Sequence, residues 1–156
     1  MTDEKESTFL VTHADDDSAV LKDVHGGQVH ALRSNPGLEV GDAVEGTVAP
    51  DPPLDVGYRV VEVEERRALS IEESDEPPTA RERELAAETP SGELAREPRA
   101  GVGEVHVLTP PEPETDAAVA DVIDDREATL ARAARLGVNR VEIRSEPGVV
   151  SVRYLP

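Results

Sequence analysis

Short runs that alternate apolar and polar residues, separated by turn signals, occupy residues 8–71. Phe9-Leu10-Val11-Thr12 opens as a strand, and the run Asp15-Asp16-Asp17-Ser18 turns it. Ala19 to Val24 and Gln28 to Leu32 read as a hairpin closed by Gly26-Gly27, a dipeptide that accepts the positive φ of a tight turn. Such a turn would set His25 opposite Gln28 and His30 opposite Asp23. Asn35-Pro36-Gly37 breaks the chain before Ala43 to Val48, where Val44, Gly46 and Val48 share one face and Glu45 and Thr47 the other. Asp51-Pro52-Pro53 reads as a stiff connection. Tyr58 to Glu65 then sets Val61 and Val63 against Glu62 and Glu64, and Ala68 to Ile71 extends that strand or adds a sixth. Five short antiparallel strands predict a small closed β-barrel, since closure removes the open edges so few strands would leave.

Residues 72–101 change character. Glu76-Pro77-Pro78, Thr89-Pro90-Ser91-Gly92 and Glu97-Pro98-Arg99-Ala100-Gly101 punctuate a charged stretch with little apolar content. Within it Thr79-Ala80-Arg81-Glu82 is a capping box, predicting a short helix over roughly 80–88. The segment reads as an exposed linker carrying one helix, with residues 1–7 as a frayed polar start. From 102 to 156 the pattern predicts a β-α-β-β module. Glu104 to Leu108 is a strand, and a helix over 115–136 follows Pro110, Pro111 and Pro113. Val119, Val122, Ile123, Leu130, Ala133 and Ala134 fall on its apolar stripe. Asp116 and Asp121 early and Arg132 and Arg135 late complement the helix dipole, and Gly137 ends the helix. Val138 to Arg144 and Val149 to Leu155, joined by Glu146-Pro147-Gly148, complete a hairpin. Val105, Val107, Val141, Ile143, Val150 and Val152 are the apolar surface expected under the stripe. The fold class is therefore α+β: barrel, linker, module.

Charge changes the reading of the surface. The 156 residues carry 16 basic and 34 acidic side chains, a formal net charge of −18, and only Lys5 and Lys22 among the bases are lysine. In molar salt the Debye length shrinks to about 3 Å, so a dense carboxylate surface no longer repels itself. Acidic, lysine-poor composition laid over a patterned core fits the cytoplasm of a salt-accumulating halophile, so the acidity does not imply a basic partner. No apolar run approaches the roughly 20 residues that span a bilayer. Thr2-Asp3-Glu4-Lys5-Glu6 lacks a signal-peptide layout, which places the expected location in the cytoplasm. The chain has no cysteine, excluding a disulfide framework and thiolate chemistry.

Candidate chemistry is sparse. His13 with Asp15, Asp16 and Asp17, plus His25 and His30, are metal-ligand types. The hairpin nevertheless makes His25 and His30 neighbours rather than a converging pair, and the Asp run suits a solvated turn. Gly101-Val102-Gly103 lacks the third glycine and the following helix of a phosphate loop, and no G-x-S-x-G occurs. No catalytic motif or cofactor site is expected. A barrel that binds nucleic acid needs aromatic platforms and a basic groove. Here that would fall to Lys22, Arg33, Arg59, Arg66 and Arg67, with Tyr58 available and Phe9 expected in the core.

Leu38-Glu39-Val40-Gly41-Asp42-Ala43-Val44-Glu45-Gly46-Thr47-Val48 resembles the turn-and-strand of OB-fold and S1-like barrels over those residues. Over nearly the whole chain, "TFLVTHADDDSAVLKDVHGGQVHAL" (8–32), "SNPGLEVGDAVEGTVAPDPP" (34–53) and "ATLARAARLGVNRVEIRSEPGVVSVRYLP" (128–156) resemble an uncharacterised haloarchaeal family, domain of unknown function 5812. The resemblance implies no activity and no site residues. The function expected is a non-enzymatic binding or assembly scaffold, acting on an unidentified protein partner or on a second copy. The alternative is an RNA-associated accessory protein using the barrel face, and a small enzyme ranks third.

Overall fold

A computed structural model describes residues 4–51 and 57–156, so Pro52-Pro53 of the expected stiff connection lies outside the described residues. The fold is mixed α+β, with two sheets and three α-helices among the described residues. The chain divides into two compact units, 1–69 and 70–156. Among the described residues no helix is long and apolar enough to cross a membrane.

The first unit is a closed ring of five strands: β1 (Lys5–Ala14), β2 (Ala19–Asp23), β3 (Val29–Leu32), β5 (Tyr58–Ala68) and β4 (Asp42–Pro50), in that spatial order. Phe9, Val11, Leu21, Leu32, Leu38, Val44 and Val48 fill it. Gly46 is required by closeness: a Cβ there would lie 2.3 Å from the Glu62 carbonyl oxygen of the paired strand. Two local expectations are corrected. Lys5 to Ser7 are not frayed, because they pair with Val48 to Gly46 and Lys5 Nζ sits 2.7 Å from the buried Asp23 carboxylate. The β2–β3 register sets His30 opposite Leu21, not Asp23. Asp23 causes the slip, since its carboxylate accepts from His25 N (2.9 Å) and Gly26 N (3.3 Å) and lengthens the turn. Val61 and Val63 are each 41% exposed, outside the core.

The second unit is one five-stranded sheet, ordered β6 (Ser70–Glu73), β9 (Arg140–Glu146), β10 (Val149–Leu155), β8 (Glu104–Leu108), β7 (Leu94–Pro98). The expected linker is therefore part of this unit. Ser70–Glu73 pairs with β9, helix α1 (Ala80–Ala87) packs on β8 and β10, and β7 forms an edge. β7 escaped notice because an edge strand needs few apolar residues and tolerates proline. The capping box is present in both directions at Thr79 and Glu82. The expected helix over 115–136 is two helices, α2 (Thr115–Asp124) and α3 (Arg126–Leu136), broken where Asp125 takes φ −85°, ψ 48°. Thr129 Oγ1 donates to the Val122 carbonyl oxygen that the break frees (3.3 Å). The break resets the phase of the stripe: Val119, Leu130, Ala133 and Ala134 are buried, while Ile123 turns outward. Val105 and Val107 also leave the predicted surface, because their cross-strand partners Arg153 and Ser151 lie on the α1 face of β10. Tyr154 joins Val141, Ile143, Val150 and Val152 beneath α2 and α3 instead.

Candidate binding groove

β-pleat alternation decides what the sheet offers on its α2–α3 face. β7 and β8 pair Leu94 with Leu108 and Arg96 with His106, and β8 and β10 pair His106 with Val152. These side chains form a continuous floor. Ala118, Asp121 and Val122 of α2 and Asp125, Thr129 and Arg132 near or on α3 form the opposite wall of a cavity of about 320 Å³. An adjoining cavity of about 410 Å³ shares Leu94, Leu108, Ala118 and Asp121 and continues past Gly92, Pro111 and Glu114. Together they make a groove between edge strand β7 and α2, within the size range of small-molecule sites.

Its polar groups are held in place. His106 is buried, with its ring 4.9 Å from that of the buried Tyr154, and its Nε2–H donates to Glu104 Oε1 at 2.8 Å. Arg132 Nη1 donates to Tyr154 Oη at 3.1 Å, and the guanidinium carbon stands 6.0 Å from the Tyr154 ring centroid, at the reach of a cation–π contact. Burial holds the His106 proton affinity below that of an ordinary histidine; Glu104 opposes the shift, while Arg132 and Arg96 add to it. Both guanidinium charges are therefore felt at the same imidazole. Among the described residues no ion pair joins Arg96 or Arg132 to Asp121 or Asp125, although all four line one cavity.

The opposite face of the sheet is neutralised internally. Glu142 accepts from Arg144 Nε (2.6 Å) and from Arg153 Nη1, Arg153 Nε lies 3.3 Å from the buried Glu82, and Arg144 Nη2 reaches Glu76 at 2.7 Å. Alternating signs along that chain leave it little to offer a ligand, and its role is to seat α1 on the sheet. Glu82 does two jobs there, closing the helix N-cap and pairing Arg153.

The five bases singled out from the sequence do not form one patch. Arg66 Nε is 2.6 Å from Asp42 and its Nη1 donates to the Gly37 carbonyl at 2.7 Å. Arg33 faces Asp51 at 3.9 Å and Arg67 faces Glu65 at 4.0 Å, while Lys22 also interacts within the protein. Arg33 and Arg59 are neighbours where β3 meets β5, since Arg33 N donates to Tyr58 O. Arg59 and Arg66 are separated by about 23 Å of strand contour at about 3.3 Å per residue. The histidines and aspartates diverge as well. His13 and His25 are exposed, and Asp15 folds back to accept from Asp17 N and Ser18 N. His30 is buried edge-on to Phe9 and Tyr58, at 5.6 and 4.6 Å between ring centroids. No group of three or more potential metal ligands occurs among the described residues.

Sequence reasoning passed over Arg96, His106, Arg132 and Tyr154. Arg96 lay in the supposed linker, and Arg132 was assigned to the helix dipole. The available signal was His106 itself, a titratable residue inside the apolar run Val105-His106-Val107. The chain matches no curated protein and no solved structure. A model of a family of unknown function, DUF5812, matches residues 5–145, and the chain belongs to that family.

Proposed function

We propose that the protein is a non-enzymatic binding or assembly scaffold of a haloarchaeal cytoplasm, and that its ligand-contacting part is the groove between β7 and α2. The observation that carries this is the grouping of Arg96, His106, Arg132 and Tyr154 over the apolar residues Leu94, Leu108, Val122 and Val152. The hydroxyl of Thr129, which also lines the cavity, is committed to Val122 O. Binding therefore suits the lining better than nucleophilic catalysis. The first unit supplies an OB-like barrel. Its ring order β1-β2-β3-β5-β4, with β3 parallel to β5 at Leu32 and Tyr58, is the order expected of that Greek-key form.

That order also favours the alternative, RNA association through the barrel, but Asp15, Asp16 and Asp17 occupy the β1–β2 turn. OB barrels use this loop to contact nucleic acid, and three carboxylates there repel phosphate. Counterion release in molar salt would weaken the remaining contacts further. Heteronuclear NMR in about 2 M KCl with a library of small organic fragments tests the choice. Hits should perturb Leu94, Ala118, Val122 and Val152, and Ala118→Trp, which fills the groove, should abolish them while β10 amides stay protected. Perturbations confined to the barrel, or unchanged binding by a folded Ala118→Trp protein, would refute the groove.

A further inference from the structure

The groove is lined by charges of both signs. Arg96 stands on the floor beside its cross-strand neighbour His106, and Arg132 is steadied by Tyr154. Both arginines act on the His106 imidazole. Asp121, Asp125 and Arg132 share the helix wall, yet among the described residues no ion pair joins the two carboxylates to either guanidinium. Several other arginines of this acid-rich chain meet carboxylates closely, as at Arg66–Asp42, Arg81–Glu97, Arg83–Glu146 and Arg144–Glu142. Within the groove, opposite charges face a shared cavity with an apolar bottom and are left to a third party. A lone anion would meet two carboxylates, and a lone cation two guanidiniums.

Building on the groove reading, we infer that the ligand is a small zwitterion with an apolar body, its anionic end toward Arg96 and Arg132 and its ammonium end toward Asp121 and Asp125. The cavity of about 320 Å³ admits a molecule of amino-acid to dipeptide size. Leu94, Leu108, Val122 and Val152 receive its apolar part. Charge-assisted hydrogen bonds at both ends select the dipolar molecule over either singly charged analogue.

Three probes with the same phenyl-bearing body test this: L-phenylalanine, 3-phenylpropanoate and 2-phenylethylammonium. Each is titrated at pH 7 in about 2 M KCl while the Leu94, Ala118, Val122 and Val152 amides are followed by NMR. Phenylalanine should bind about tenfold more tightly than either analogue, the discrimination expected when one charge-assisted contact is lost. Arg96→Gln should erase its advantage over 2-phenylethylammonium, and Asp121→Asn its advantage over 3-phenylpropanoate. Equal affinities, or tightest binding of 3-phenylpropanoate, would overturn the zwitterion while leaving a working groove. Silence of all three probes would overturn it too, and the fragment library then decides the groove separately: hits there retain it, and none discards both.

Discussion

Leu130 and Ile123 both lie on the stripe that helical spacing predicts, yet the break at Asp125 gives them opposite fates. Leu130 is 2% exposed and Ile123 is 37% exposed. Truncating Leu130 to alanine removes buried atoms and leaves a cavity, which costs about 2–5 kcal/mol. Ile123→Ala removes the equivalent of three methylenes at about 0.8 kcal/mol each, of which under two thirds is buried, giving about 1.5 kcal/mol before compensation. No closed cavity remains, and alanine regains several tenths of a kcal/mol of helix propensity. The net loss should be about 1 kcal/mol. Because the two units need not unfold together, a single melting temperature is a poor measure. Amide exchange of β10, followed by mass spectrometry in about 2 M KCl, reads the opening of the second unit directly. Leu130→Ala should speed exchange of the slowest β10 amides by about 30-fold or more, and Ile123→Ala by about fivefold. Equal acceleration, or a larger effect from Ile123, would mean that the helix runs unbroken and that the stripe keeps its sequence-predicted phase.

The remaining tests address electrostatics and close packing. Circular dichroism should show the fold intact in molar KCl and progressively lost as salt is removed, with full stability in dilute buffer contradicting the salt-adapted surface. Glu45 and Glu65 sit directly opposite across β4 and β5, and sharing a hydrogen bond raises the Glu45 proton affinity above the ordinary carboxyl value. Its repulsion is felt above that raised value and relieved as pH falls through it. Glu45→Gln should therefore stabilise the barrel at pH 7, by about 0.5–1 kcal/mol at low salt and much less at high salt. Burial depresses both His30 and His106, so their contribution is complete above about pH 6.5 and is lost as pH falls from there toward the folded values. A His106→Gln protein should show a shallower loss of β10 protection between pH 6.5 and 5. Gly46→Ala should open the β4–β5 pair, seen as faster exchange at Val44 and Val48, because the new methyl would meet the Glu62 carbonyl.

Much of the fold was legible where pattern and chain geometry agree. The ring strands, the Thr79–Glu82 box, the Gly137 stop and the 149–155 strand follow from period, capping chemistry and a left-handed glycine. The failures have local causes. At Asp23 a side chain outcompeted the glycine turn for backbone N–H groups, which moved the register by two residues. At Asp125 a poor helix former interrupted a periodic stripe that reads continuously. At β7 the residues Leu94, Arg96 and Pro98 form an edge whose outer side is water, so composition mimics a linker.

The groove was illegible for a further reason, which bears on where to look in chains of this composition. Searching for clustered bases selects Arg66 and Arg67, which lie side by side in sequence and are each turned to an acid of the same unit. With acids in twofold excess, adjacency in sequence says little about availability, because nearby carboxylates pair exposed arginines such as Arg66, Arg81 and Arg83. What distinguishes Arg96 and Arg132 is the company that folding brings: a histidine ring, a phenol and a cavity shared with acids they do not touch. These residues come from an edge strand, an inner strand, the second helix of a broken pair and the final strand, spread over residues 96–154. No window of sequence contains them together. In an acid-saturated protein a basic residue becomes informative when tertiary structure withholds its counter-charge, and that property appears only once the strands are in register.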